Sequence, residues 1–435
     1  MLTIGRLPWE VRVTLCAAVV FLSMVFSRSL RDYFDQSTLL KLYRVQFLLF
    51  INILLSIGSR YIWKKTVSSL QAFCTVSCKC FTGWKITVAG FLLLAHSSFI
   101  SLLALVSEEP HIFSLVSYSC LGIYFFLIFS LFAFGLLEQA LKLATFSRAS
   151  SYNHKRSAVT VALALLFTVA CTVLGLLNAR LPPLIKQVDI SLPKLPQPFH
   201  NLKMVLLADI HLGPTVGRTK LEMVVKMVNE LNPDIIVIVG DLTDSQVVNL
   251  RTAIEPLRQL KPKLGTYFVT GNHDYYSADI TNWFMHLQSL NVRPLHNEHV
   301  RIYSPTGDKN WFCLAGVDDI EADLLRYPGH GMDLKKALDG CSTEDTIVLL
   351  AHQPIAAKRA LQSRPDISLV LSGHTHAGQI FPLSIFAYLF NPYFEGLYKT
   401  VENSLVYVTP GTIYYGIPMR LGSRAEITEL IFKTE

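Results

Sequence analysis

The sequence predicts an all-α, multi-pass membrane region followed by a layered α/β domain. Long apolar stretches dominate residues 1–180. They raise the hydrophobic content of the 435-residue chain to 51% and leave only 16% charged residues, which is outside the usual range of soluble proteins. After residue 200, short apolar runs alternate with amphipathic helical patterns, as is typical of a layered α/β domain.

Five apolar runs in the first part are candidates for membrane spans. A helix needs about 20 apolar residues to cross the hydrocarbon core. The last three runs meet this length, the second is marginal and the first is short, so five spans are predicted, with four as the alternative. The runs are Val13–Phe26, Val45–Trp63, Ile86–Val106, Ile112–Leu137 and Ala158–Leu177.

The charges between these runs predict the orientation of the chain. The segment between the third and fourth runs carries Glu108 and Glu109 but no Lys or Arg, whereas the segments on either side are basic. Basic loops stay in the cytosol, so the C-terminal domain is predicted to be lumenal or extracytoplasmic. The basic residues are Lys64, Lys65, Lys79, Lys85, Lys142, Arg148, Lys155 and Arg156. Four further basic residues oppose this orientation, because they fall on the non-cytosolic side in the five-span prediction: Arg28, Arg31, Lys41 and Arg44.

The net charge of +7 is unevenly distributed along the chain. Residues 1–180 contain 16 Lys and Arg against 6 Asp and Glu, and residues 181–435 contain 23 against 26. A mildly acidic domain without a basic, aromatic-rich track argues against a nucleic-acid partner. The two cysteines of this part, Cys313 and Cys341, are not predicted to form a disulfide framework.

The C-terminal part divides into a connector and a domain. Residues 181–200 are rich in proline and lead into an edge strand, and residues 201–435 contain runs of Val, Ile and Leu that indicate strands buried on both faces. Helical patterns such as KLEMVVKMVNEL separate the first runs. The runs are KMVLLAD, DIIVIVGD, GTYFVTGNHD, TIVLLAHQ and ISLVLSGHTH.

Ligand-type side chains stand at the end of each of these five runs. In an α/β sheet, loops at the carboxyl ends of strands converge on one crevice. Burying so many carboxylates and imidazoles together without cations would be costly, and the mixed oxygen and nitrogen ligands suit Mn, Zn or Fe. The sequence therefore predicts two divalent or mixed-valence metal ions. The side chains are Asp209, His211, Asp241, Asp244, Asn272, His273, Asp274, His352, His374 and His376.

Taken in order, the motifs ADIHLG, GDLTD, GNHD and GHTH, with an isolated histidine before the last, resemble those of the calcineurin-like metallophosphoesterases. The resemblance covers about residues 185–435 and implies a layered β-sandwich flanked by helices. It also implies hydrolysis of a phosphomonoester or phosphodiester by a hydroxide that bridges two metals. The implied ligands are Asp209, His211 and His376 for the first metal, Asn272, His352 and His374 for the second, and Asp241 bridging both.

The same resemblance implies roles for four further residues. His273 would protonate the leaving oxygen, and Asp244 would orient its imidazole. Ser245 stands where protein serine/threonine phosphatases have a phosphate-binding arginine, which weakens a protein-phosphatase interpretation. Arg420 would contact the substrate or form a structural salt bridge.

The sequence thus predicts a membrane-anchored, metal-dependent phosphoric ester hydrolase. Membrane anchorage and the context of Gln379 favour a lipid-derived phosphoester as its substrate. The lipid bilayer is its other partner, and no protein partner is indicated. The alternative is a membrane scaffold or transporter whose metallophosphoesterase-like domain is not catalytic.

Overall fold

The computed structural model describes residues 7–29, 33–34, 36–68, 78–144, 150–304, 307, 309–400 and 403–434. The chain divides into two compact units. One comprises Met1–Ser101 and Val116–Val173, and the other comprises Leu102–Leu115 and Leu174–Glu435. The acidic loop around Glu108 therefore belongs to the same unit as the C-terminal domain, a grouping that the sequence does not reveal.

The part of the N-terminal region that the structure describes contains five helices long and apolar enough to cross a membrane, as predicted. Two of the basic residues used to predict orientation, Arg31 and Arg148, lie outside the described residues. The helices are α1 (Trp9–Ser29), α2 (Gln36–Trp63), α3 (Cys78–Ala104), α4 (Ile112–Ala144) and α5 (Ser150–Arg180).

The C-terminal domain is built on two six-stranded sheets, which confirms the predicted α/β class. The strand order is β1-β12-β2-β3-β4-β5 in the first sheet and β10-β11-β9-β8-β7-β6 in the second. The strands are β1 (Leu184–Ser191), β2 (Lys203–Leu207), β3 (Ile235–Val239), β4 (Thr266–Val269), β5 (Val292–Pro294), β6 (Glu298–Tyr303), β7 (Trp311–Gly316), β8 (Ile347–Leu350), β9 (Leu369–Ser372), β10 (Gly396–Lys399), β11 (Leu405–Val408) and β12 (Glu426–Lys433).

Helices cover the outer faces of both sheets. The described helices of the domain, not all of which cover a sheet, are α6 (Arg218–Glu230), α7 (Val247–Ile254), α8 (Asn272–Tyr276), α9 (Ile280–Ser289), α10 (Glu321–Leu325), α11 (Leu334–Ala337), α12 (Pro354–Ser363) and α13 (Leu383–Phe390). The alternation of side chains along β3 shows the layering. Ile236 and Ile238 pack with residues of α6 and α7, whereas Val237 and Val239 pack with residues of the second sheet. Because both faces of β3 are buried, its sequence is a continuous apolar run.

The direction of the strands determines where the site lies. Strands β2, β3 and β4 are parallel neighbours in the first sheet, and β8 and β9 are parallel neighbours in the second. The carboxyl ends of parallel neighbours lie at one edge of their sheet. Each of these five strands is followed within a few residues by predicted metal ligands.

A disulfide joins Cys313 of β7 to Cys341, which follows α11. This contradicts the expectation that these cysteines form no disulfide. The two residues are 28 positions apart and meet only because α11 and α12 pack on the outer face of the second sheet. Sequence spacing alone contains no information about that packing.

Replacing both Cys313 and Cys341 with alanine is expected to lower the free energy of unfolding of the domain by about 3–4 kcal/mol, because the cross-link restricts the unfolded chain. Urea unfolding of the full chain in detergent, followed by tryptophan fluorescence, measures this. Cys120→Ala, at a free cysteine of the membrane region, is the control. An unchanged urea midpoint in the double variant would argue against a stabilising cross-link.

Candidate metal centre

The structure brings the side chains of the first predicted ligand group together. Ligand atoms of Asp209, His211 and His376 all lie within 4.8 Å of one another. Nε2 of His376 is 3.4 Å from Oδ1 of Asp209 and 3.0 Å from Nε2 of His211. Asp209 and His211 follow β2, and His376 follows β9, so the group joins the two sheets.

The second predicted group lies beside the first. Ligand atoms of Asp241, His352 and His374 also lie within 4.8 Å of one another. Nδ1 of His374 is 3.0 Å from the side-chain oxygen of Asn272. The loops after β3, β4, β8 and β9 thus deliver one carboxylate, one amide and two imidazoles to this group.

Asp241 lies between the two groups. Its Oδ2 is 3.5 Å from Nε2 of His211 in the first group and 3.3 Å from Nε2 of His352 in the second. Its Oδ1 accepts a hydrogen bond from the backbone N–H of His273. This hydrogen bond holds the carboxylate of Asp241 where it contacts an imidazole of each ligand group.

The backbone at these positions is strained. Five of the seven predicted ligands have a positive φ, a conformation that is uncommon for residues other than glycine. Such strain costs of the order of 1–3 kcal/mol per residue and persists where the surrounding structure enforces it. The residues are Asp209 (φ 54°), His211 (52°), Asp241 (52°), His374 (72°) and His376 (50°).

The chemistry of these side chains fits a pair of cations. Nδ1 of His352 bonds to the carbonyl oxygen of Val239, and its buried Nε2 has no hydrogen-bond partner among the described residues. A histidine that donates from one ring nitrogen to a carbonyl, while the other ring nitrogen lies beside a carboxylate, here 3.3 Å from Oδ2 of Asp241, has the arrangement typical of a metal ligand. Burial raises the pKa of Asp209 to about 6, and an adjacent cation would offset this cost of burying its charge.

Two glycines allow the loops to approach this closely. A Cβ atom on Gly271 would lie 2.3 Å from Oδ1 of Asp241, and one on Gly240, where φ is +78°, would lie 2.5 Å from Nδ1 of His352. Neither position has room for a side chain. The Gly residues of GDLTD and GNHD are therefore required by the site's packing.

Asp244 holds two imidazoles at once. Its Oδ1 is 3.0 Å from Nδ1 of His211 and 2.9 Å from Nδ1 of His273, so it orients a predicted ligand as well as the predicted acid. Burial opposes its ionisation, but these histidines lower the pKa of Asp244 to about 2. Burial likewise lowers the pKa of His273, but Asp241 and Asp244 outweigh it and raise that pKa to about 9.

Two further residues lie beside the site: Asp274, which the sequence grouped with the ligand-type side chains, and Tyr415, which it did not single out. Asp274 accepts hydrogen bonds from the backbone N–H groups of Asp241, Leu242, Thr243 and Gly271, so it fixes the loop that positions Asp241. The centroid of the Tyr415 ring lies 4.5 Å from the centroid of the His273 ring. Only Asp274 had a sequence signal, its place in GNHD.

Among the described residues, Arg420 forms hydrogen bonds and no salt bridge. Its side chain is fully buried, and its guanidinium donates to the carbonyl oxygens of Ile413 (2.7 Å), Pro410 (2.9 Å) and His376 (3.3 Å). It therefore ties the last loop of the domain to the loop of His376. The sequence could not show this, because the acceptors are backbone groups.

The chain is similar to known proteins with a metallophosphoesterase domain. Residues 202–378 match the family model described as calcineurin-like phosphoesterase. A Danio rerio protein named transmembrane protein with metallophosphoesterase domain is 55% identical over 100% of both chains, and a Bos taurus protein of the same name is 55% identical over 98% of both chains. An uncharacterized metallophosphoesterase of Helicobacter pylori is 38% identical over 57% of this chain and 63% of its own.

Proposed function

The chain belongs to the family of transmembrane proteins with a metallophosphoesterase domain, and on this premise we propose that it hydrolyses phosphomonoesters or phosphodiesters at a pair of divalent cations. The observation that carries the proposal is the position of Asp241, whose Oδ2 lies 3.5 Å from His211 and 3.3 Å from His352. A carboxylate shared by two imidazole-rich groups is suited to bridging two cations.

Seven side chains would hold the cations, in the two groups described above. When bound, a pair of divalent cations supplies Lewis acidity that activates water and offsets charge on the phosphoryl group. Their identity is Mn, Zn or Fe in this proposal, because those metals accept mixed oxygen and nitrogen ligands. The ligands are Asp209, His211, Asp241, Asn272, His352, His374 and His376.

His273 supplies the proton for the leaving oxygen. Asp244 bonds to its Nδ1 at 2.9 Å, which leaves Nε2 as the nitrogen that faces a substrate. Asp241 and Asp244 raise the pKa of the ring, and its side chain is 17% exposed, so an ester can approach it. Asp244 acts through His273 and His211 by fixing both rings.

The substrate is proposed to be a lipid-derived phosphoester. Support comes from the five helices in the same chain that are long and apolar enough to cross a membrane. The first test is hydrolysis of p-nitrophenyl phosphate and bis(p-nitrophenyl) phosphate by the purified full chain. We expect activity that EDTA abolishes and Mn or Zn restores. A metal-loaded protein inactive on both esters and on vesicle phospholipids would instead favour a non-catalytic scaffold.

The domain is proposed to lie on the lumenal or extracytoplasmic side. The acidic loop predicted to face that side bonds to the domain: the backbone N–H of Arg218 donates to the carbonyl oxygen of Glu108 (2.9 Å), and Thr219 donates through N and Oγ1 to Glu109 (2.7 and 2.6 Å). These bonds support a location of both segments on the same side of the membrane. The disulfide supports the oxidising compartment.

In sealed microsomes, a C-terminal epitope tag is expected to resist added protease until detergent is present. A second tag inserted in residues 145–149, within a basic segment predicted to be cytosolic, should be lost without detergent and serves as the matched control. Immunoblotting for both tags measures this. Loss of the C-terminal tag in intact vesicles would reverse the proposed orientation.

A further inference from the structure

We propose that the apolar segment 381–394, which contains α13, lies in the lipid–water interface of the membrane that anchors the chain, and that the substrate is an amphiphilic phosphoester resident in that membrane. The second half of this statement rests on the proposed function. The first half concerns only where the segment lies. It follows from the composition of the segment, its attachment to the last membrane helix and its attachment to the metal centre.

The segment exposes large apolar side chains, whose contact with water is unfavourable. Its sequence, FPLSIFAYLFNPYF, contains no Asp, Glu, Lys, Arg or His over fourteen residues. None of the eight residues of α13, all of which the structure describes, is buried. Phe386 is 56% exposed, Leu389 67% and Phe390 79%. Contiguous apolar patches of this kind mark contact with a membrane or a partner.

The attachment of the segment identifies the membrane as that contact. The backbone N–H of Phe381 donates to the carbonyl oxygen of Leu421 (2.8 Å), and the N–H of the preceding Arg420 donates to the carbonyl oxygen of Gly175 (3.0 Å). The side chain of Asn178 donates to the carbonyl oxygen of Arg420 (3.2 Å). Gly175 and Asn178 lie in the last turns of the candidate span Ala158–Arg180. The start of the segment is thus one short loop away from the end of that span.

Exposed apolar residues also follow the end of this span directly. Leu181 is 47% exposed, Leu184 48% and Ile185 47%. A span that ends at Arg180 brings these side chains to the headgroup region, where apolar and aromatic side chains are stabilised. The same environment would accommodate the segment attached to the end of the span.

Both ends of the segment are fastened to the loop that carries two predicted metal ligands. Oγ1 of Thr375, the residue between His374 and His376, donates to the carbonyl oxygen of Phe394 (2.7 Å). At the other end, the N–H of Ser384 donates to the carbonyl oxygen of Ile380 (3.3 Å), and Gly378 packs so closely on Ser384 that a Cβ atom would not fit. Seating the segment in the interface therefore fixes the height of this loop above the bilayer.

This placement favours one class of substrate. A lipid phosphoester can keep its acyl chains in the bilayer beside the segment while its headgroup reaches the loop of His374 and His376. A soluble phosphoester gains nothing from an interfacial helix at that position. The segment would thus raise the local concentration of the substrate and limit its orientation.

Photolabelling of the full chain tests the placement without any substitution. The protein is reconstituted in phosphatidylcholine vesicles that contain a phosphatidylcholine with a diazirine on its acyl chain, irradiated and digested, and its adducts are mapped by mass spectrometry. We expect adducts on 381–394 as well as on the membrane helices. Val248, Met285 and Leu324, exposed apolar residues of the same domain, are internal controls. Labelling of the segment no stronger than theirs, as expected if a second copy or another protein covers it, would overturn the placement.

Hydrolysis by a Phe386→Ser, Leu389→Ser double variant tests the substrate class. We expect the ratio of its rate on vesicle phospholipids to its rate on bis(p-nitrophenyl) phosphate to fall at least about tenfold, because two apolar side chains no longer favour the interface. Val248→Ser, Leu324→Ser is the matched control and should leave the ratio unchanged. An unchanged ratio, or an equal loss on both substrates, would refute a role in lipid access. If the unmodified protein hydrolyses neither substrate, the proposed function fails, whereas photolabelling still decides the placement.

Discussion

Replacing Asp241 with alanine is expected to lower kcat/KM for phosphoester hydrolysis by more than about 10³-fold and to reduce bound metal below two ions per chain. Asp241 is the only carboxylate that the described structure places within 3.5 Å of both His211 and His352. Losing the second cation removes about 4 kcal/mol or more of charge stabilisation, which corresponds to this factor. Steady-state kinetics on bis(p-nitrophenyl) phosphate and metal analysis of the same sample measure both effects.

Two further variants make this result specific. Asp241→Asn retains the shape of the side chain but loses its charge, so it should behave like the alanine variant while the domain stays folded. Asp189→Ala, at an exposed aspartate of β1, should leave both activity and metal content unchanged. Full activity in Asp241→Asn would mean that Asp241 does not bridge two cations.

Replacing His273 with alanine is expected to lower kcat by about 10²–10⁴-fold while both metals remain bound. The side chain of His273 belongs to neither ligand group, and its Nδ1 is bonded to Asp244 at 2.9 Å. Because the ring is proposed to donate a proton to the leaving oxygen, its loss should matter most for esters with poor leaving groups. Comparing kcat for an alkyl phosphoester with kcat for a p-nitrophenyl ester, alongside metal analysis, measures this difference.

The dependence on leaving group separates an acid from a structural residue. A purely structural loss would lower kcat on both esters equally, and this outcome would remove His273 from the proposed mechanism. His200→Ala, at an exposed histidine of the same domain, controls for general effects of losing an imidazole. The kcat of this variant should equal that of the unmodified chain on both esters.

The predictable part of the site follows from strand direction. Parallel strands β2, β3 and β4 end at one edge of their sheet, so ligand-type residues that follow them must come close together. The common edge of parallel strands thus predicts from the sequence alone that Asp209, Asp241 and Asn272 lie near one another. The apolar runs of the first 180 residues likewise predicted five membrane helices, because length and hydropathy are local properties.

The unpredicted part depends on contacts between segments distant in sequence. Cys313 and Cys341 meet through the packing of helices on a sheet, and Glu109 bonds to Thr219 across 110 residues. Arg420 bonds to backbone carbonyl groups, which have no signature in a sequence. The left-handed backbone at the ligands also arises from the assembled site, since Asp and His give no local preference strong enough to predict it.

The most direct test of the account is a count of metal ions at the predicted ligands. Crystals of the metal-loaded protein, measured by anomalous diffraction, are expected to show two peaks about 3.5–4 Å apart. One should contact Asp209, His211 and His376, the other Asn272, His352 and His374, with Asp241 touching both. A folded protein that shows no peak at these side chains, or only one, after loading with Mn, Zn or Fe would contradict the account.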